Sequence, residues 1–315
     1  MKTLMKQMAE RLSRVGRGAD PEHQLSSDLA SKLAQLREDG YVMFDHLVGS
    51  AQFEALRDKV KTMYEHDLAF STPCLAQSRI DFDRDADFIR QNFLVSHNEL
   101  ELRDLVFHRD AVSSYEQVIA DFAPSTLTLD MPRLPGFYDL WLDENVLQVI
   151  EAYMGFAPVL REAYIRRNFP CQYTVMNHKW HRDTNHQDHL LKAFIFFTDC
   201  DLETGAHHFV AGSVKDTKFR EQRYFEDAEV NAAYPVDSGK QIISTVPAGT
   251  IILEDTRGLH KAGIPQRDYR DLGFAVFVPG SVLHRGKAFY NTDHATVGAL
   301  SPRQQRYIPS SSITK

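Results

Sequence analysis

The sequence predicts a mainly β fold with flanking helices, and two observations support this prediction. The second half of the chain carries short apolar segments typical of strands, which Pro, Gly and Asp residues separate. The first half shows helical periodicity instead. Closely spaced strands with such turns favour a β-sandwich or a barrel, and we expect the helical half to pack against it.

The first half is punctuated by helix-ending signals. Residues 25–28 can cap a helix, and Asp143 can cap another that Gly155 would end. Residues 66–100 have no clean period, and this segment is as typical of a pocket wall as of a solvated surface excursion. The predicted elements are helices at 29–36, 52–65, 101–122 and 146–153, a strand at 41–48 and a loop at 124–136.

The second half changes character at residue 157. One charged amphipathic segment, at 217–232, predicts a helical insertion between strands. The predicted strands are 159–165, 171–176, 193–198, 207–210, 241–246, 250–254 and 272–278.

These elements predict one domain rather than two. We expect a single domain at 25–300, with a helical buttress at 25–155 and a β core at 157–280, followed by a C-terminal tail at 301–315. Residues 1–24 form an N-terminal extension in which 1–18 can make a basic amphipathic helix. A membrane-surface contact by this helix stays open, although a packed terminal helix is favoured.

Composition narrows the class of protein. The formal net charge of −7 disfavours a general nucleic-acid-binding role. The 3 cysteines, Cys74, Cys171 and Cys200, are scattered without C-x-x-C spacing, which suits a reducing compartment, and we expect a cytoplasmic protein. No apolar run is long enough for a membrane-spanning helix, and no secretory signal is evident.

The chemical centre of the sequence is Trp180-His181-Arg182-Asp183. On a strand, His181 and Asp183 would point to the same face and offer an imidazole and a carboxylate to one point. That pair is two-thirds of the two-His-one-carboxylate set that binds non-haem Fe(II). His260, after a later strand, is the candidate third ligand. Arg270 begins the last apolar strand, where a buried guanidinium needs a carboxylate such as that of a small organic acid.

Several other residues compete for a role. His178 with His181, and His186 with His189, have spacing from which a zinc site could be drawn, although no H-E-x-x-H motif or cysteine pair accompanies them. Only one of His207 and His208 can face inward on a strand. Arg267 rivals Arg270 as the carboxylate anchor but lies in a predicted turn. Three further residues could line the pocket, and the sequence does not decide among Tyr164, Tyr173 and Lys192.

Other catalytic classes lack their motifs. The sequence contains no G-x-S-x-G motif, and Cys171 and Cys200 lie in apolar strand contexts, so a serine or cysteine triad is poorly supported. No glycine-rich nucleotide-binding motif is present.

The order of H-x-D, a distant His and an Arg about ten residues later resembles the iron- and 2-oxoglutarate-dependent dioxygenases, and within them the phytanoyl-CoA dioxygenase family. Four local segments are similar to that family: Asn168-Phe169-Pro170 before the H-x-D motif, Glu203-Thr204-Gly205 with Phe209 to Ser213, Pro247 to Thr250, and Arg267 to Val278. The resemblance covers about residues 41–280. This sequence departs from the family pattern at Ala211, Val214, Lys261 and Ala262, which leaves the metal set intact.

The resemblance implies a double-stranded β-helix, a jelly-roll and cupin-like core. It implies that His181, Asp183 and His260 ligate Fe(II), that Arg270 holds the far carboxylate of the cosubstrate 2-oxoglutarate, and that Asn168 makes a further cosubstrate contact. O2 is then consumed, a small-molecule substrate is hydroxylated, and succinate and CO2 are co-products. Related halogenases replace the carboxylate ligand with a small residue, so Asp183 favours hydroxylation or a related oxidation. A non-catalytic β-barrel binding protein and a cupin-like metalloenzyme without 2-oxoglutarate stay open.

Overall fold

The computed structural model describes residues 25–45, 50–70, 72–75, 93–95, 105–107, 113–122, 124–171, 176–183, 190–221, 224–279, 288 and 290–314. Several of the predictions fall outside the described residues: the N-terminal extension and most of the 66–100 segment. The same holds for three candidate pocket or zinc residues, Tyr173, His186 and His189. None of the helices in the described ranges is long and apolar enough to span a bilayer.

The strands are β1 (Tyr41–Phe44), β2 (Thr72–Leu75), β3 (Phe93–Val95), β4 (Leu105–Phe107), β5 (Pro124–Asp130), β6 (Val159–Asn168), β7 (Leu191–Phe196), β8 (His208–Val210), β9 (Gln241–Ile243), β10 (Ile251–Glu254), β11 (His260–Lys261), β12 (Arg270–Val278), β13 (Thr292–Asp293) and β14 (Ile313–Thr314).

The α-helices are α1 (Ser27–Asp39), α2 (Ser50–Glu65), α3 (Tyr115–Gln117), α4 (Pro135–Trp141), α5 (Glu144–Met154), α6 (Asp227–Ala233), α7 (His294–Gly298) and α8 (Pro302–Gln305). Helix α3 runs on into a π-helical turn at Val118–Phe122, and single 3-10 turns occur at Met176–His178, Val236–Ser238 and Ser310–Ser312.

Two antiparallel sheets form the β core. The larger sheet has seven strands in the order β1-β10-β7-β12-β6-β5-β2, and the smaller has three in the order β11-β8-β9. From β7 onwards the chain changes sheet at β7–β8, β9–β10, β10–β11 and β11–β12, which gives the two-layer arrangement of a jelly roll. The predicted mainly β fold with flanking helices is therefore confirmed, although the described strands do not close into a barrel.

The two faces of the large sheet are buried against different partners because its side chains alternate. The inner face packs against the small sheet through a cluster that includes Phe194, Leu272 and Phe209. The outer face packs against helices through a larger cluster that includes Ile195, Ala275 and Trp141. The helices α1, α2, α4 and α5 therefore cover the outer face and leave the inner face for the site. The expected division at residue 157 is not sharp, because β1, β2 and β5 of the first half belong to the large sheet itself.

The predicted caps at residues 25–28 and Asp143 and the predicted end at Gly155 are confirmed, and Gly40 ends its helix in the same way. Ser26 caps α1, because its Oγ accepts a hydrogen bond from the Leu29 amide at 3.3 Å. Asp143 caps α5, because its Oδ1 accepts hydrogen bonds from the amides of Asn145 (2.9 Å) and Val146 (3.0 Å). Gly40 and Gly155 end these helices in the left-handed conformation, at φ 79° and 73°.

Three predictions about local structure were wrong. The predicted loop at 124–136 holds β5, because Pro124 stands at the first strand position, where a missing amide is tolerated, and Leu127 and Leu129 alternate onto the buried face. The described residues of the predicted helix at 101–122 contain strand β4 and, after residue 114, the short helix α3 with its π-helical turn. The predicted helix at 217–232 is reduced to α6, which begins at Asp227 with a capping box.

Candidate metal centre

His181 and His260 are joined by the backbone of the small sheet. The His181 amide donates to the His260 carbonyl at 2.9 Å, and the His260 amide donates back to the His181 carbonyl at 3.0 Å. This isolated bridge adds one residue pair to the β11 edge of the small sheet. The Asp183 amide continues the pairing with the carbonyl of Thr256 at 2.9 Å. The predicted i, i+2 relationship therefore places His181 and Asp183 beside His260.

The three side chains converge on one point. One ligand atom from each of His181, Asp183 and His260 lies within 4.8 Å of the others. The two imidazole rings have centroids 4.2 Å apart and are tilted by 50°. The Nδ1 atoms lie 2.8 Å from the Lys179 carbonyl and 3.0 Å from the Gly258 carbonyl. Each Nδ1 therefore carries the proton, and both Nε2 atoms are left free to act as metal ligands.

The protonation states also suit a metal. Burial lowers the pKa of His181, and burial together with His181 lowers the pKa of His260 well below its usual range. Both imidazoles are therefore neutral, as metal binding requires. Burial acts to raise the pKa of Asp183, but Lys192 and His260 outweigh it and hold that pKa below its ordinary value. A neutral pair of imidazoles with one carboxylate is a donor set that fits Fe(II).

Lys192 is the partner of the carboxylate in the structure. Its Nζ lies 2.7 Å from Oδ2 of Asp183, and the two side chains are 24% and 21% exposed. The contact is an ion pair at hydrogen-bond distance, so the carboxylate already has a cationic partner. The sequence left Lys192 undecided, because only the fold places β7 opposite the H-x-D segment.

Arg182, between the two ligands, faces the other way and holds the surrounding loops. Its guanidinium donates to the carbonyls of Phe219 (2.9 Å), Ser213 (2.8 Å), Arg257 (2.6 Å) and Lys218 (3.0 Å). Strand alternation, which predicts that His181 and Asp183 share one face, also predicts that Arg182 points to the opposite face. These hydrogen bonds connect the segment with the metal ligands to the loop at 213–219 and to the loop that precedes His260.

The 203–213 segment, one of the four that carried the family resemblance, supports His260. The Ser213 Oγ accepts from the Leu259 amide at 2.8 Å. Gly258 has no room for a side chain, because a Cβ there would lie 2.5 Å from the Phe209 ring. The departure at Ala211 gains a bond, since its amide donates to the Lys240 carbonyl at 2.8 Å and a proline could not.

Arg270 lies on the inner face with an unsatisfied guanidinium. It is 2% exposed, and its Nε and one terminal nitrogen are buried without a hydrogen-bond partner. Asn168 is its cross-strand neighbour and donates its amide to the Arg270 carbonyl at 3.3 Å. Burial lowers the pKa of Arg270, which nevertheless stays a cation. Such an orphaned cation fits a carboxylate ligand.

The rival arginine lies elsewhere. Arg267 is 66% exposed and forms ion pairs with Glu203 and, at 3.9 Å, with Asp201. Its charge is therefore already paired at the surface, away from the inner face that carries Arg270.

A second buried pair stands behind His260. His207 is the inward member of the His207-His208 pair, and its ring centroid is 5.7 Å from that of His260. Its Nε2 lies 2.9 Å from Oε2 of Glu254, and both residues are buried. Burial lowers the pKa of His207 to about 3 and raises that of Glu254 well above its usual range. The pair is therefore uncharged. The sequence analysis did not identify Glu254 as a residue near the site.

His178 is close to the site without joining the ligand set. Burial, followed by the charges of Arg270 and Arg166, lowers the pKa of His178 to about 4. Among the described residues, the cluster of possible metal ligands contains His181, Asp183 and His260 but not His178. The zinc alternative through His178 and His181 therefore gains no support from the described part of the chain.

The fold and the site together define the class of iron- and 2-oxoglutarate-dependent dioxygenases. The sequence profile of the family described as phytanoyl-CoA dioxygenase matches residues 36–264. The chain belongs to the phytanoyl-CoA dioxygenase family. The matched range contains His181, Asp183 and His260 and ends before Arg270.

Solved structures are similar to this chain at low sequence identity. The non-haem α-ketoglutarate-dependent epimerase SnoN from nogalamycin biosynthesis is 14% identical, with a TM-score of 0.50 over 80% of this chain and 84% of that chain. The apoform of EctD from S. alaskensis is 16% identical, with a TM-score of 0.49 over 87% and 82% of the two chains. The carbocyclase SnoK from nogalamycin biosynthesis is 16% identical, with a TM-score of 0.48 over 85% and 92%. Comparison with curated protein sequences gives no match.

Proposed function

We propose that this chain is an Fe(II)- and 2-oxoglutarate-dependent dioxygenase that hydroxylates a small metabolite or biosynthetic intermediate. His181, Asp183 and His260 would hold the iron. Arg270 would bind the far carboxylate of 2-oxoglutarate, and Asn168 would fix the backbone from which Arg270 projects. When bound, iron and 2-oxoglutarate supply the oxidising chemistry that consumes O2 and releases succinate and CO2.

The observation that carries this proposal is the pairing of a metal-ligand cluster with an unsatisfied buried cation. A structural metal site would need the three ligands but would not need Arg270. A buried guanidinium with two unpartnered nitrogens is costly unless a ligand satisfies it. A small dicarboxylic acid that reaches from the metal to Arg270 satisfies both features at once.

Other residues of the chain orient the metal ligands and form an apolar surface beside the site. The neutral imidazoles of His181 and His260 are oriented by the carbonyls that hold their Nδ1 protons. Phe194 and Phe274 lie edge to face, with ring centroids 5.4 Å apart, on the inner face. This apolar surface limits water beside the site, which protects reactive chemistry from side reactions.

The proposal is tested under anaerobic conditions. Fe(II) with 2-oxoglutarate should give a weak visible charge-transfer absorption that neither gives alone. Aerobic incubation with a panel of small metabolites should then release succinate with one substrate class. Absence of both signals would contradict the proposal and favour a non-catalytic binding protein. Turnover that survives the loss of Arg270 would favour a cupin-like metalloenzyme without 2-oxoglutarate.

A further inference from the structure

Arg166 is a second arginine on the inner face of the large sheet. It lies near the end of β6, opposite Leu272 of β12 and Thr128 of β5. Strand alternation places it on the same face as Asn168 and Tyr164, and Asn168 is the cross-strand partner of Arg270. The two arginines therefore enter the same space between the sheets.

The guanidinium of Arg166 has no counter-ion in the described part of the chain. Among the described residues it forms no ion pair or hydrogen bond, and its Nε is buried without a partner. The adjacent Arg167, on the outer face, is fully satisfied: it contacts Asp271 at 2.8 Å and 2.7 Å and Glu65 at 3.2 Å. Arg167 is therefore paired with carboxylates, whereas its neighbour Arg166 is not paired with any carboxylate of the described residues.

An aromatic pair forms the floor beneath Arg166. The rings of Tyr164 and Phe274 stack with centroids 4.8 Å apart. The Arg166 guanidinium lies 5.2 Å from the first centroid and 5.5 Å from the second. Stacking of this kind holds a guanidinium in place without using its hydrogen-bond donors. The donors therefore remain available to a ligand that rests on an apolar surface.

Two carboxylates of this face, Asp183 and Glu254, supply no negative charge to Arg166. Asp183 is paired with Lys192. Glu254 is uncharged because burial raises its pKa. The proposed cosubstrate supplies a carboxylate for Arg270 and none for Arg166. Arg166 acts on Arg270 as a like charge, so both guanidiniums are more stable when each meets an anion.

We propose that Arg166 binds an anionic group of the substrate, a carboxylate or a phosphate, while the aromatic pair contacts the substrate body. This assignment rests on the proposed function and narrows its substrate class to acids. Arg166 is then a specificity-determining residue, distinct from the cosubstrate anchor Arg270.

Binding of matched probes tests the assignment. The protein is saturated anaerobically with Fe(II) and 2-oxoglutarate, and hexanoate, hexyl phosphate and hexanamide are titrated by calorimetry. We expect one of the two anions to bind at least about 10-fold more tightly than the amide, because an ionic partner strengthens the hydrogen bonds. The stronger anion identifies the group as carboxylate or phosphate.

Substitutions of Arg166 and Arg267 show which arginine is responsible for the preference for the anion. Arg166→Met should reduce the preference for the anion to less than about 2-fold, and Arg166→Lys should retain part of it. Arg267→Met removes an exposed, paired arginine and should leave the preference unchanged. If Arg166→Met fails to fold, Arg166→Gln replaces it, and the selectivity of the wild-type protein already decides against the proposal if anion and amide bind equally.

Two outcomes separate this inference from the proposed function. If Arg166→Met weakens 2-oxoglutarate binding and leaves the probes unaffected, Arg166 belongs to the cosubstrate site and the inference is wrong. If the protein shows no 2-oxoglutarate-dependent absorption but still prefers the anion through Arg166, the anion site stands and the proposed oxygenase function is wrong.

Discussion

The ammonium of Lys192 lies 2.7 Å from the carboxylate of Asp183, so the proposed metal carboxylate already has a cationic partner. Each side chain is largely buried, and each compensates the charge of the other. Removing one partner therefore leaves the other buried and unpaired, which costs more than removing both.

A double-mutant cycle tests this coupling in the metal-free protein. Asp183→Ala should lower the free energy of unfolding by about 1–2 kcal/mol, a figure reduced for the partial exposure of both side chains. Adding Lys192→Met should recover most of that loss, as measured by denaturant unfolding. The Asp183→Ala protein should remain folded and lose metal binding. Additive losses in the cycle would show that the pair is not coupled.

The cosubstrate anchor is tested by comparing two arginines. Arg270→Met should raise the dissociation constant of 2-oxoglutarate at least about 30-fold, because it removes the buried partner of a carboxylate. Arg267→Met should change it little, since that arginine is exposed and paired. Titration of the visible absorption under anaerobic conditions measures both. Equal effects of the two substitutions would remove Arg270 from the cosubstrate site.

The loop after His260 depends on a close backbone contact. A Cβ on Gly263 would lie 2.4 Å from the carbonyl oxygen of Ala206. Gly263→Ala should therefore destabilise the protein by about 1–3 kcal/mol. Gly298→Ala is the matched control, because a Cβ there meets nothing within 4 Å and helix α7 favours alanine. Thermal unfolding of the two variants side by side measures the difference, and equal melting temperatures would contradict the expected clash.

His208 predicts a pH dependence of stability. Burial, followed by Lys261, lowers its pKa to about 4 from an ordinary value of 6.5. Between these values the unfolded chain binds a proton that the folded chain does not, so the free energy of unfolding falls as the pH falls from 6.5 towards 4. His208→Gln should remove up to about 1.4 kcal/mol per pH unit of this slope. The exposed His294, changed to Gln, is the control in denaturant titrations at several pH values. An unchanged slope in the His208 variant would contradict the prediction.

The features of the fold and site that depend on local interactions could be predicted from the sequence. The caps at Ser26 and Asp143 and the glycine at 155 bounded their helices because each acts on neighbouring amides or carbonyls. The H-x-D spacing worked for the same reason, since alternation is local. β5 was missed because Pro124 and the turn residues after it outweighed a short alternating run.

Pairings between distant segments could not be read from the sequence. Lys192 meets Asp183 only because β7 and the H-x-D segment lie in opposing layers, and neither residue signals the other. Arg166 and Arg167 are chemically identical neighbours, and their different roles follow from which face of β6 each occupies. The partner of His207, Glu254, is likewise set by the register of β10.

The backbone bridge between His181 and His260 has a consequence for metal choice. Two reciprocal amide hydrogen bonds fix the separation of the His181 and His260 backbones. The distance between the two imidazole ligands is therefore set by the geometry of the sheet. The backbone of Asp183 is tied to Thr256, but its carboxylate lies outside the bridge and contacts only the flexible side chain of Lys192 among the interactions given above. Adaptation to ions of different radius therefore falls on the carboxylate.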